Sequence, residues 1–276
     1  MLDSFGVRWQ YEPTTFPLVT SETGQLVQCF TPDFFLPEHG VYIEMTTMRQ
    51  SLVTRKNRKF RLMRELYPDV NVRLLYRKDV ELIMERYDVR NDSVVGWPGP
   101  VAATAEQMSR KAEEAATFLA GGCQEPIALI ALNSSAERFR DHVAAGLKAH
   151  GTSVASSRVT VTRSRKPGAA SSAAVRFSGT VDLRACRRVL VADVIGTGLT
   201  VRAALDWLAE AGIPASEVIT LFDRRSARII DVPLAVPGLP AASLWLVGAG
   251  LGGGPWARMP DVHTITAADL TPMTTN

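Results

Sequence analysis

The chain has 276 residues, 46% hydrophobic and 21% charged, with a formal net charge of +3. That length holds one large domain or two modest ones, and the composition is ordinary for a soluble globular protein, so the small charge does not by itself imply a polyanion partner. No apolar run approaches the ~20 residues of a membrane span, and Met1-Leu-Asp-Ser-Phe-Gly6 lacks a basic stretch followed by an apolar core. A cytoplasmic protein with no membrane partner is expected. Cys29, Cys123 and Cys186 lie far apart without metal-ligand spacing, as reduced thiols would.

In chain order, Tyr11-Glu-Pro-Thr14 is followed by Phe30-Thr-Pro-Asp-Phe-Phe-Leu-Pro37 and Val41-Tyr-Ile-Glu-Met-Thr-Thr47. Two short strands about a turn at Glu38-His-Gly40 would bring Asp33 and Glu44 together at a hairpin. Paired carboxylates on adjacent strands can hold Mg²⁺, and bound Mg²⁺ can activate water for phosphodiester cleavage. From Arg49 to Arg64 the chain carries seven basic residues and no acid. Helical spacing puts Leu52, Lys56, Lys59 and Met63 on one side, so Lys56 or Lys59 can reach the carboxylates. Such a basic helix is either a solvated face or a dock for a nucleic-acid backbone through Arg55, Lys56, Lys59 and Arg64. Tyr42, Tyr67 and Tyr76 read as core or interface aromatics rather than base-stacking platforms.

Turn-forming residues at 91–100 suggest a linker, placed at 91–101, between a basic domain at 1–90 and a second domain at 102–276. There an Ala- and Glu-rich helix at 102–120 is stopped by Gly121-Gly122. Strands follow at 127–132, 158–162, 173–177, 188–192, 217–223 and 244–248, with helices at 136–150 and 201–211. Buried β-branched strands alternating with amphipathic helices predict a parallel sheet covered on both faces. Residues 165–172 read as a mobile loop and 248–254 as a glycine-rich one. The most informative stretch is Val189-Leu-Val-Ala-Asp-Val-Ile-Gly-Thr-Gly-Leu-Thr200. A buried strand runs into an acid and a Gly/Thr loop at a helix N-terminus, where unpaired N–H groups and hydroxyls can cradle a phosphate.

That stretch resembles the ribose-5-phosphate loop of type I phosphoribosyltransferases, and residues 102–276 look similar to the hypoxanthine-guanine enzymes of that family. The resemblance implies phosphate and ribose binding by Asp193, Thr197, Gly198, Leu199 and Thr200. It implies a pyrophosphate loop at Asn133, Ser134 and Ser135, where the family has Lys-Gly-Gly, and base-facing positions at Arg224 and Val232. A flexible closing loop falls at 164–178. Three departures stand out: Ala192 replaces one of two ribose-binding acids, Gly196 replaces the catalytic base, and Gly252 replaces an Asp that helps hold Mg²⁺. Residues 9–87 are in turn similar to the PD-(D/E)xK, restriction-endonuclease-like superfamily. Asp33 and Glu44 match its two metal-binding acids, and Glu12 sits where many members carry an extra acid on a preceding helix. Thr46 replaces its lysine, a role that Lys56 or Lys59 would have to assume.

The expected architecture is thus an α/β protein: a restriction-endonuclease-like domain followed by a type I phosphoribosyltransferase-like parallel-sheet domain. The expected function is a catalytically reduced phosphoribosyltransferase-like protein that binds a nucleotide or ribose 5-phosphate, fused to a module contacting nucleic acid. Two alternatives remain open: an active phosphoribosyltransferase using phosphoribosyl pyrophosphate, and a Mg²⁺-dependent nuclease. A scaffold for another protein is a third. The resemblance to both families also suggests a homo-oligomer.

Overall fold

The run Ile127-Ala-Leu-Ile-Ala-Leu132 is apolar at every position, as a strand covered on both faces must be. In a computed structural model it is the fully buried strand β8. The structure describes residues 2, 7–21, 25–46, 50–76, 79–80, 99–121, 125–162, 174–179, 185–215, 217–241, 245–252 and 255–265. These fall into two compact units, one before residue 86 and one after it.

The N-terminal unit runs β1 (Gln10–Tyr11), β2 (Phe16–Thr20), β3 (Leu26–Phe30), β4 (Phe34–Leu36), β5 (Val41–Thr46), α1 (Gln50–Leu66) and β6 (Asn71–Tyr76). The strands β4 and β5 pair antiparallel about a turn at 37–40, and Phe34 faces Ile43. After α1 the chain returns as β6, parallel to β5, because a parallel pair needs a crossover between its strands. The sheet order is β1-β4-β5-β6, with β2 and β3 paired separately. Met63 of α1 packs with Phe16, Leu18, Phe30 and Val72, and Tyr42 and Tyr67 border this cluster. Tyr76, read as a core or interface residue, is exposed.

The second unit begins with β7 (Val101–Ala103) and α2 (Ala105–Ala120) and continues through β8 (Ile127–Leu132), α3 (Glu137–Ala149), β9 (Val154–Thr162) and β10 (Ala174–Ser178). Next come β11 (Arg187–Ile195), α4 (Leu199–Glu210), β12 (Glu217–Asp223), β13 (Leu234–Val236), β14 (Leu239–Pro240), β15 (Trp245–Val247) and β16 (Val262–Ile265). The main sheet has the order β10-β9-β8-β11-β12-β13, with β14 also on β12. All its pairs are parallel except β9–β10. Alternate residues of each strand face opposite sides. Leu129, Val189, Val191 and Ile219 therefore meet Leu119 of α2 and Phe139, Val143 and Leu147 of α3. Ile130, Leu190, Ala192 and Val218 instead meet Val201, Ala204, Leu205 and Leu208 of α4.

Several expectations shift. The strand expected at 173–177 is present as β10, antiparallel on β9, which takes these residues out of the flexible loop expected at 164–178; residues 163–173 lie outside the described set. Val101, placed at the end of the linker, pairs with His263 of β16, so the sheet β15-β16-β7 joins both ends of this unit. Thr104 then starts α2 with a complete capping box, and Asp261 Oδ1 accepts the Ala105 N–H at 2.7 Å. At the amino edge of the main sheet, Arg187 holds Glu217 through two bonds of 2.7 and 2.8 Å and donates to the Leu119 carbonyl at 2.9 Å. The carboxyl edge is thereby left as the end where loops carry the chemistry. No described helix is long and apolar enough to cross a membrane.

Candidate functional site

The loop Gly196–Thr200 leaves the carboxyl end of β11, which lies between β8 and β12. Its carbonyls are claimed from one side. Arg228 Nε donates to Gly196 O at 2.9 Å, and the Ile229 and Ile230 N–H groups both donate to Thr197 O at 3.0 Å. In a planar trans peptide the following N–H points opposite to the carbonyl, so the Thr197 and Gly198 amides face away from segment 228–230. Gly198 is left-handed, with φ +87°, and a Cβ there would collide with the Ile230 carbonyl oxygen. Only glycine suits that corner. The first backbone bond of α4 beginning at the loop is Arg202 N–H to Gly198 O, 2.9 Å, while the Leu199 N–H points at Thr197 Oγ1, 3.4 Å. The amides of Thr200 and Val201 precede the first possible intrahelical acceptor, and the positive end of the helix dipole lies among them. A compact row of donors results.

The neighbouring loops differ from a simple reading of the motifs. Asp193 Oδ1 accepts its neighbour's N–H, from Val194, at 2.7 Å. Asn133 has φ +66° and ψ 172°, a conformation costly for a side-chain-bearing residue. Its Oδ1 accepts the Val161 N–H at 3.0 Å, and its own N–H bonds Val159 O at 2.8 Å. That oxygen is committed to β9, while the Asn133 side-chain amide N–H donors and the Ser134 and Ser135 hydroxyls are of the kind that can donate to an anion. The short turn 134–136 packs against β11, the strand that leads into the Gly196–Thr200 loop.

At the end of β12, Arg224 is buried and its N–H bonds Ile195 O at 2.9 Å. Asp223 is buried too, accepting from Arg228 and from Arg225 Nε, the latter at 3.2 Å. Arg225 and Arg228 were not among the residues read from the motif; the only sequence signal was three arginines within the five residues after Asp223. Val232 packs against the apolar cluster of α4 rather than standing clear of it. Gly252 brings no carboxylate. With Asp193 Oδ1 taken by its neighbour's N–H and Asp223 paired with two guanidiniums, the acids among the described residues of this edge do not converge on a site suited to Mg²⁺.

In the N-terminal unit the antiparallel register puts Asp33 beside Glu44. Asp33 N–H donates to Glu44 Oε2 at 3.2 Å, and Met45 N–H to Asp33 Oδ2 at 2.6 Å. Lys56 arrives from α1, with Nζ 2.5 Å from Glu44 Oε1 and 2.6 Å from Met45 O. Lys59, one helical turn further along, faces β3 and donates to Cys29 O at 3.2 Å. Between the two lysines, the fold selects Lys56. Glu12 is not on a helix: it follows β1 at φ 42°, its N–H on Asp33 O at 2.9 Å and its carboxylate beside the Tyr11 phenol, whose proton it helps retain. Arg64 is exposed, and the Arg55 side chain lies outside the described set. Burial pushes the Glu44 carboxyl above its usual range; the Lys56 hydrogen bond opposes the rise and the Asp33 charge adds to it. Thr46 Oγ1 is buried with no hydrogen-bond partner among the described residues. Two carboxylates and the Met45 carbonyl are hard oxygen donors of the kind Mg²⁺ takes, although no cluster of three or more His, Cys, Asp or Glu occurs among the described residues.

Comparison with known proteins bears on the second unit. Residues 103–235 match the family model of the phosphoribosyl transferase domain. Among solved structures, Trypanosoma cruzi hypoxanthine phosphoribosyl transferase is similar at 16% identity and TM-score 0.53, covering 63% of this chain and 94% of that one. A Bacillus anthracis hypoxanthine-guanine phosphoribosyltransferase gives 18% and 0.52, covering 62% and 100%. A Staphylococcus aureus hypoxanthine phosphoribosyltransferase gives 18% and 0.54, covering 63% and 95%. No curated protein sequence matches. The C-terminal part of the chain, with its parallel-stranded sheet and strand-end loop, is phosphoribosyltransferase-like.

Proposed function

We propose that the C-terminal unit binds the 5′-phosphate of a nucleotide or ribose phosphate at Thr197–Thr200 and has lost most of its capacity for phosphoribosyl transfer. The observation that carries this is the loop's construction: carbonyls held from behind by Arg228, Ile229 and Ile230, amides turned outward, and Gly196 where the purine phosphoribosyltransferases carry a catalytic acid. A 5′-phosphate would gain ~1 kcal/mol from the helix dipole beyond its hydrogen bonds. Transfer needs more: anchored ribose hydroxyls, a cation on the leaving pyrophosphate, and a base. Each absent participant commonly costs about 10²–10⁴-fold in rate. Calorimetry with ribose 5-phosphate, nucleoside monophosphates and phosphoribosyl pyrophosphate, with and without Mg²⁺, tests the reading. Monophosphate binding that does not need Mg²⁺ is expected. Release of pyrophosphate from phosphoribosyl pyrophosphate at an ordinary enzymatic rate would overturn it in favour of an active transferase.

A second reading is favoured by the convergence of Asp33, Glu44 and Lys56. The N-terminal unit would cleave or grip nucleic acid, with Asp33, Glu44 and the Met45 carbonyl holding Mg²⁺. Bound there, the ion would supply Lewis-acid activation of water. Lys56 would orient an attacking oxygen in place of the lysine that Thr46 does not provide, and the basic face of α1 would take the phosphate backbone. Mg²⁺-dependent cleavage by the wild type, lost in Glu44→Gln while nucleic-acid binding persists, is the expected result. Salt-dependent binding unaffected by Lys56→Ala would remove this role from α1.

A further inference from the structure

Arg225 follows the carboxyl end of β12 with its side chain largely in solvent, 78% exposed, yet its Nε is anchored on Asp223 Oδ2 at 3.2 Å. Asp223 is buried and shared with Arg228, whose Nε holds the Gly196 carbonyl at 2.9 Å. The sequence Arg225–Asp223–Arg228–Gly196 is therefore an unbroken chain of hydrogen bonds from an outward-facing guanidinium to the phosphate loop. It fixes where that guanidinium stands relative to the cradle. Because the anchor uses Nε, the terminal amino groups keep the planar fork that matches a carboxylate or phosphate.

The local charge agrees. Residues 223–228 set three arginines against one aspartate, and the aspartate is already neutralised. Ligands of open parallel sheets lie across the carboxyl ends of the strands. A nucleotide with its phosphate on the β11 loop and its base over β12 would meet this positive edge. A neutral base gains hydrogen bonds at its carbonyl oxygens, while an acidic one gains the charge attraction as well.

We propose that the ligand is a nucleotide whose base carries an acidic group, and that Arg225, held by Asp223, is the residue selecting it. This inference rests on the phosphate-cradle reading. The test is calorimetry on the full chain with uridine monophosphate, its base-carboxylated derivatives and phosphoribosyl pyrophosphate. The carboxylated nucleotides are expected to bind about five- to tenfold more tightly than uridine monophosphate, the size of one partly solvated charge-assisted contact. Arg225→Ala should erase that preference, and Arg225→Glu invert it. Arg225 is exposed, so its replacement leaves the core intact, and an unchanged melting temperature would verify this. Equal affinity for the neutral and acidic nucleotides, or a preference that survives Arg225→Ala, overturns the inference alone. A dependence on Arg225 seen only for phosphoribosyl pyrophosphate overturns it by assigning the residue to pyrophosphate. Binding of none of these compounds overturns the cradle and this inference together.

Discussion

Replacing Gly198 by alanine tests the geometry of the cradle most directly. The residue sits at φ +87°, where an L side chain costs roughly 1–2 kcal/mol. The new methyl would also meet the Ile230 carbonyl oxygen, with Arg228 Cδ only 3.3 Å away. Segment 228–230 must then retreat, weakening the two bonds to Thr197 O, each worth about 1 kcal/mol net. The sum is a loss of about 3 kcal/mol, or roughly 6–12 °C in melting temperature for a domain of this size. Ribose 5-phosphate affinity should fall at least about tenfold, because the outward amides depend on the same carbonyl anchors. Gly212, at the other end of α4, supplies the control: its φ is +73° but nothing lies within 4 Å of an added Cβ. Gly212→Ala should lose only about 1 kcal/mol and keep phosphate affinity. Scanning calorimetry paired with titration distinguishes the two. If Gly198→Ala binds ribose 5-phosphate like the wild type and melts no lower than Gly212→Ala, the reasoning fails.

Thr200→Val removes a hydroxyl from the same cradle and should weaken ribose 5-phosphate about tenfold in titration, with the melting temperature unchanged. Arg187→Ala should do the reverse. It strands the mostly buried Glu217 and frees Leu119 O, for a loss of about 2–4 kcal/mol by denaturant unfolding with phosphate affinity intact, because the pair lies at the opposite edge of the sheet. Thr104→Ala breaks the capping box of α2 and should cost about 1 kcal/mol in the same assay. Glu44 makes a pH prediction. Its folded carboxyl titrates above its unfolded value, so within that window the folded state retains a proton the unfolded chain has released. Stability from Glu44 should therefore fall as pH rises from the ordinary glutamate range through the raised value, and Glu44→Gln should flatten that slope in denaturant unfolding measured across pH.

Local chemistry made much of the second unit legible. An all-apolar hexapeptide at 127–132 and Gly196-Thr-Gly198 between a buried strand and an amphipathic helix each announce their conformation through short-range sterics and hydrogen bonding. The strand at 174–178 was legible but its antiparallel direction was not, because period-two alternation marks a strand without naming its partner. Likewise Asn133 carries no mark that its Oδ1 will accept the Val161 N–H.

By itself, the sequence determined the alternation of strands and helices, the Gly198 corner between β11 and α4, and the candidate acids at Asp33 and Glu44. Tertiary structure alone decided that Lys56 rather than Lys59 reaches Glu44, and that Arg228 reaches back to Gly196 through a side chain shared with Asp223. Glycine torsions and apolar runs are governed by neighbours within a few residues. A charged side chain's partner depends on which strand ends the fold brings to the same edge, and no spacing along the chain encodes that.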